Sequence, residues 1–189
     1  MFDKSDLKEA LKVLRSGGVI LYPTDTVWGI GCDATNEKAV AKVYEIKRRA
    51  ESKSLILLVD HVGRVENYVV NMPDIAYDLL EVTDKPTTII YDKAKNLPLS
   101  LVAEDGSIAI RITNEEFSNA LCAAAHVPLV STSANISGEP TPHNFSEISK
   151  EIINAVDYVV EYRREDISSA EPSAIIKIGN GGQVKVIRG

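Results

Sequence analysis

Apolar positions along this chain fall into short runs and spaced stripes, and the spacing predicts most of the elements. Leu7, Leu11 and Leu14 recur at helical spacing, so residues 6–15 read as an amphipathic helix. Gly17-Gly18 ends that helix, and 19–22 is an unbroken apolar run read as a buried strand. Val40, Val43, Tyr44 and Ile46 give residues 37–49 a helical stripe, and 55–59 is a second apolar strand. Helices are expected at 65–70 and 73–82, the latter opening on a proline, and strands at 87–91 and 107–112. In 107–112 the alternation puts Ser107, Ala109 and Arg111 on one face. A helix over 115–125, a strand over 128–131 and a helix over 146–155 with Ser146 as its N-cap follow. Strands at 158–162, 174–178 and 184–187 close the chain.

Strands and helices therefore mix without strict βαβ alternation. The pattern predicts an α+β, or mixed α/β, fold whose twisted mixed parallel and antiparallel sheet is flanked by helices. At 189 residues the chain suits a single domain over 1–189. The polar stretch 163–173 reads as a mobile surface loop. No apolar run approaches the roughly 20 residues a membrane helix needs, and the first residues read as an amphipathic helix, not a signal peptide. Cys32 and Cys122 are far apart and outside any CxxC pattern, which points to a reducing, cytoplasmic setting. His61, His126 and His143 lack metal-ligand spacing, so no resident metal is expected.

A net charge of −6 argues against a wholly basic nucleic-acid binder, yet Lys47, Arg48, Arg49 and Lys53 crowd into seven residues. A charge run of this kind is a solvated helix end unless the fold brings an anion to it. Two other stretches bear on the choice. Pro23-Thr24-Asp25-Thr26 and Ser131-Thr132-Ser133-Ala134-Asn135 each follow an apolar strand with small hydroxyl and amide groups. Such groups at strand ends either close their own turns or bind phosphate and carboxylate oxygens. Combined with the cations they favour a polyanion pocket, a basic concave groove on an acidic body. There is no Walker loop, no dinucleotide fingerprint and no nucleophile elbow, so chemistry by positioning and charge stabilisation is expected over covalent catalysis.

These stretches, with Lys47-Arg48-Arg49 as K-x-R, Ser133-Ala134-Asn135 as S-x-N, Ile108-Ala109-Ile110-Arg111, Pro172-Ser173-Ala174-Ile175-Ile176 and the terminal Val186-Ile187-Arg188-Gly189, resemble the YrdC/YciO family of threonylcarbamoyl-AMP synthases over nearly the whole chain. The resemblance implies a YrdC-like fold of the short, single-domain type. It implies a nucleotidyltransferase that makes threonylcarbamoyl-AMP and pyrophosphate from L-threonine, bicarbonate and ATP with Mg²⁺. The product would pass to a tRNA threonylcarbamoyl transferase complex for modification of adenosine 37. Carried over, Lys47 and Arg49 stabilise charge, and Lys47, Arg49, Lys53, Ser107, Ser133, Asn135, His143 and Arg188 hold ATP. Thr26, Arg111 and Ser173 hold threonine. The family usually has proline where this chain has Ala50 and Ser54, and commonly a threonine-contacting histidine where it has Leu58. The alternative is a YciO-like paralogue that binds RNA or the ribosome without synthase activity.

Overall fold

A computed structural model describes residues 1–49, 55–168, 171–179 and 181–189. Helix α1 spans Lys4–Arg15; it starts earlier than its leucine stripe because Asp3 caps it, accepting from the Ser5 N–H at 2.8 Å. Asp6, Ala10 and Leu14 form its buried face. Asn36 caps α2 (Glu37–Lys47) in the same way, accepting from the N–H groups of Lys38 and Ala39. The remaining helices are α3 (Val62–Val65), α4 (Asp74–Val82), α5 (Glu116–Ala125) and α6 (Lys150–Ala155).

The strands are β1 (Ile20–Tyr22), β2 (Gly29–Gly31), β3 (Ile56–Val59), β4 (Thr87–Tyr91), β5 (Ile108–Ile112), β6 (Leu129–Ser133), β7 (Tyr158–Val159), β8 (Ala174–Ile178) and β9 (Val184–Arg188). Among the described residues they form one mixed sheet in the order β7-β1-β2-β6-β3-β5-β4-β8-β9. The pairs β1/β7, β3/β5 and β4/β8 are parallel and the others antiparallel. This is the mixed sheet with flanking helices that the hydrophobic pattern predicts. Strand β6 joins the two halves: residues 129–131 pair with β3, while Thr132 and Ser133 pair with β2.

The period of two divides the sheet's side chains between two faces. Leu57, Ile89, Ile110 and Val130 share one face and are almost fully buried. Helix α5 packs on β3, and α1 packs on α5, β1 and β7. Each such buried aliphatic side chain contributes about 1.5–3 kcal/mol through removal from water, the main source of stability here. The other face carries Ile56, Ala109, Arg111, Thr88, Ile90, Ser131, Ser133 and Ile175, aligned across neighbouring strands. That face bears the cavity described below.

Several boundaries differ from the sequence expectation, each for a local reason. Gly29–Gly31, which the hydrophobic pattern leaves unassigned, is a central strand between β1 and β6. Its neighbours approach closely: a Cβ at Gly31 would lie 2.4 Å from the Val130 carbonyl oxygen and 2.5 Å from the Tyr22 ring. Helix α2 stops at Lys47, short of residue 49, because Arg48 turns left-handed at φ 49°. The Arg49 N–H then reaches back to the Tyr44 carbonyl at 3.0 Å, closing the helix in the manner usual for a left-handed cap. The helix expected at 65–70 is instead α3, followed by turns. Ser146 does not cap the last helix: it lies in a 3-10 turn, Phe145–Glu147, and Ser149 caps α6 by accepting from the Ile152 N–H. Within 163–173, residues 163–168 are tied down, since Arg163 pairs with Asp166 at 2.8 Å and donates to the Thr24 carbonyl at 3.2 Å. No helix among the described residues is long and apolar enough to cross a membrane.

Candidate functional site

The turn Pro23-Thr24-Asp25-Thr26 leaves β1 and is locked by its own hydroxyls. Thr24 Oγ1 donates to the Val27 carbonyl at 2.8 Å and accepts from the Thr26 N–H at 3.1 Å. Its Oγ1 also lies 3.1 Å from that of Thr26. The hydroxyls thus close their own turn, and the closed turn brings Thr26 to the sheet face. There Arg111 of β5 donates through Nη2 to Thr26 Oγ1 at 3.2 Å and pairs with Asp25 at 3.0 Å. Arg111 is 4% exposed, and among the described residues its Nε has no hydrogen-bond partner. Burial raises the Asp25 carboxyl above its usual range, and the Arg111 charge opposes that rise. Arg111 is thus held between a hydroxyl and a carboxylate at the sheet face.

The end of α2 builds a second polar cluster. Because Arg48 turns left-handed, Lys47 points inward, Arg48 points outward to Glu151 at 2.5 Å, and Arg49 reaches the cavity wall. Lys47 Nζ donates to the Ser133 carbonyl at 2.5 Å, to Asn135 Oδ1 at 3.1 Å and to Ser133 Oγ at 3.3 Å. The Asn135 amide donates in turn to the carbonyls of Ile136 and Glu139 at 3.1 and 2.7 Å. Burial, with the like charge of Arg49 adding to it, brings the Lys47 ammonium down to about 8. Burial also lowers Arg49 from the ordinary arginine value.

Between these clusters lies a cavity of about 410 Å³, within the range of small-molecule sites. Its floor is apolar, formed by Ile56, Ile90, Ala109 and Ile175, with Trp28 at one side. Its polar wall holds the guanidinium groups of Arg49, Arg111 and Arg188 and the hydroxyls of Thr26, Thr88, Ser131, Thr132, Ser133, Thr141 and Ser173. Among the described lining residues there is no carboxylate. Arg188, on β9, donates twice to the Ser173 carbonyl, at 2.9 and 2.7 Å, and Ser173 Oγ lies 2.8 Å from the Thr88 hydroxyl. Three arginines in the wall, with Asp25 pairing Arg111 from outside the lining, give this part of an otherwise acidic chain a positive character that suits an anion.

Of the residues singled out from sequence, Thr26, Arg49, Arg111, Ser133, Ser173 and Arg188 line this cavity. Lys47 and Asn135 do not; they stand behind Ser133, with their polar atoms turned to one another. His143 lies against a small adjoining recess with Thr24, Trp28 and Arg163. Ser107 is buried outside the cavity wall, its N–H donating to Asp105 at 3.0 Å. Lys53, Ala50 and Ser54 lie outside the described residues. Leu58 is fully buried in register between Arg111 and Leu129 and is absent from the cavity wall. Sequence reasoning assigned no role to Thr88 or Thr141 at the wall. Alternation along β4 could have revealed Thr88, whereas Thr141 sits on an irregular segment with no periodic signal.

No group of three or more histidine, cysteine or acidic side chains among the described residues could hold a metal ion. The sequence matches the family model named for Sua5, YciO and YrdC, described as "Telomere recombination", over residues 12–189. A protein of Pseudoalteromonas translucida named threonylcarbamoyl-AMP synthase is 37% identical, with all of both chains covered. Among solved structures, P. abyssi Sua5 complexed with L-threonine superposes with a TM-score of 0.85 at 22% identity, over 94% of this chain and 52% of that one. E. coli YciO does so with a TM-score of 0.84 at 23% identity, over 98% of this chain and 89% of that one. At those identities the two structures speak for the fold alone.

Proposed function

This chain belongs to the Sua5/YciO/YrdC family, and we propose that it is a threonylcarbamoyl-AMP synthase acting on L-threonine, bicarbonate and ATP. The observation that carries the reading is the cavity wall: three arginines, seven serine and threonine residues and, among the described residues, no carboxylate above an apolar floor. ATP brings the polyanion, and threonine brings a carboxylate for Arg111, which lines the cavity and is held in place by Thr26 and Asp25. Thr26 and Ser173, both at the wall, stand ready for the rest of the amino acid. Because Leu58 lies outside the wall, recognition in this chain rests on these three residues and not on the side chain at 58.

In the reaction the threonine amine condenses with bicarbonate, losing water, to give a carbamate. A carbamate oxygen attacks the α-phosphorus of ATP, the bond to the β-phosphate oxygen breaks, and pyrophosphate leaves. No protein nucleophile is required, so the enzyme's task is to hold the partners and offset charge on the leaving group. In this reading Arg49 and Ser133, both lining the cavity, offset charge on the leaving phosphates, with Arg188 as a further cation of the lining. Magnesium would arrive with the nucleotide, because the described lining residues offer it no carboxylate. In this reading the chain is a single YrdC-like domain and a nucleotidyltransferase working in the cytoplasm, supplying a tRNA threonylcarbamoyl transferase complex.

Incubation with ATP, bicarbonate and L-threonine, followed by pyrophosphate measurement, tests the reading. Release that requires threonine supports it. If no pyrophosphate appears across a range of pH, magnesium and protein concentrations, the synthase reading fails. The YciO-like alternative, RNA binding without synthesis, would then be tested by the salt dependence of RNA affinity.

A further inference from the structure

The ammonium group of Lys47 is 1% exposed, and all three of its hydrogens are directed at neutral acceptors: the Ser133 carbonyl, Ser133 Oγ and Asn135 Oδ1. Among the described residues it forms no ion pair. The charged group whose field reaches it, Arg49, has the same sign. Within its own helix the nearest carboxylate, Glu45, is on the exposed side, and across the turn Glu139 is exposed as well. A buried cation without a carboxylate is costly, and among the described residues it is dipoles that offset it.

Its geometry also dictates the shape of the neighbouring turn. Asn135 Oδ1 accepts from both Lys47 and Ser133 (2.6 Å), so the amide cannot flip without setting its NH₂ against the ammonium. With Nδ2 committed to the Ile136 and Glu139 carbonyls, Asn135 has both sides of its amide occupied within the turn. The Lys47 carbonyl accepts from the Ser137 N–H at 2.9 Å, a second tie between the same two segments. Of this group only Ser133 faces the cavity.

We infer that Lys47 is a positioning residue and not a phosphate ligand: from behind the wall it fixes the Ser133–Asn135 turn, and a polyanion bound at Ser133 supplies its missing counter-charge. The inference rests on the ATP reading above and assigns Lys47 and Asn135 roles other than contact with the nucleotide. Its consequence is a proton linkage. A polyanion in the cavity favours the charged ammonium, so binding takes up a proton wherever Lys47 is partly neutral beforehand, that is above about pH 8.

Calorimetric titration of the wild-type chain with Mg·ATP, in two buffers of different ionisation enthalpy, reads that proton. Near pH 8.5 the expected uptake is about half a proton or more per nucleotide, falling to about a tenth near pH 7. Affinity should fall by up to about tenfold per pH unit above pH 8. Lys47→Met should lose the uptake and bind roughly tenfold or more weakly. Binding without uptake near pH 8.5, or uptake that survives in Lys47→Met, overturns the inference while leaving the ATP reading intact. So does a nucleotide-bound crystal structure with a phosphate oxygen within about 3.2 Å of Nζ. Should Lys47→Met fail to fold, the wild-type titration and that structure still decide. No Mg·ATP binding near pH 7 would instead overturn the ATP reading itself.

Discussion

Replacing Arg111 by methionine removes the cation from a buried pair and leaves the Asp25 carboxylate, 3.0 Å away, without it. Burial already raises Asp25, and Arg111 is the first influence holding it down, so the substitution raises it further. The sign follows directly. A carboxyl whose folded-state value lies above its unfolded value costs stability as pH rises past the unfolded value, and costs little below it. Relative to wild type, Arg111→Met should therefore be mildly destabilised in acid and increasingly so toward neutrality. One group contributes at most about 1.36 kcal/mol per pH unit, so from about pH 5 to 7.5 the added loss reaches up to ~3.4 kcal/mol. That agrees with the roughly 3–5 kcal/mol typical of breaking a buried pair. At about 2–4 °C per kcal/mol for a chain of this length, the difference in Tm between variant and wild type should widen by ~7–14 °C across that range. Circular dichroism melts at a series of pH values measure it, and Asp25→Asn with Arg111→Met should flatten the trend. An equal Tm loss at both ends of the range would refute the claim that a stranded carboxylate is the cause.

Three further outcomes are expected. Arg49→Ala should abolish detectable nucleotide binding by calorimetry while leaving the melt within a few degrees, since Arg49 borders the cavity and is only partly buried; wild-type affinity in that variant would remove it from the site. Gly31→Ala places a Cβ against the Val130 carbonyl and the Tyr22 ring, backbone and rigid aromatic alike, and should cost about 1–3 kcal/mol or more by chemical denaturation. Asp6→Ala removes the acceptor for the Tyr158 hydroxyl and for the Glu161 and Tyr162 N–H groups, and should lower stability by roughly 2–4 kcal/mol; a loss below about 1 kcal/mol would mean water takes its place.

The Lys47 cluster illustrates how far reading a sequence can go. Four cations in seven residues mark an electrostatic anomaly, and the hydroxyl-rich stretches at 24–26 and 131–135 mark a place to resolve it. The three segments do converge. Yet K-x-R and S-x-N, read as one set of phosphate ligands, divide into two roles: Arg49 and Ser133 at the wall, Lys47 and Asn135 behind it. The division depends on the left-handed turn at Arg48, a conformation for which a sequence normally supplies glycine. Nothing in a residue string distinguishes an inward lysine from an outward one when the turn between them is an arginine.

Local sequence, then, decided what local physics controls. Helical stripes, apolar runs and alternation are properties of neighbouring residues, and they located most helices and strands, the mixed fold class and the cavity-facing side of β5. Strand order was outside their reach, because pairing β6 to both β3 and β2, or β4 to β8, joins residues far apart in the chain. So was the partition of polar residues between wall and interior, which is a matter of which neighbours exclude water. Tertiary structure set that, and with it turned a basic stretch into one arginine at the cavity and one buried lysine behind it.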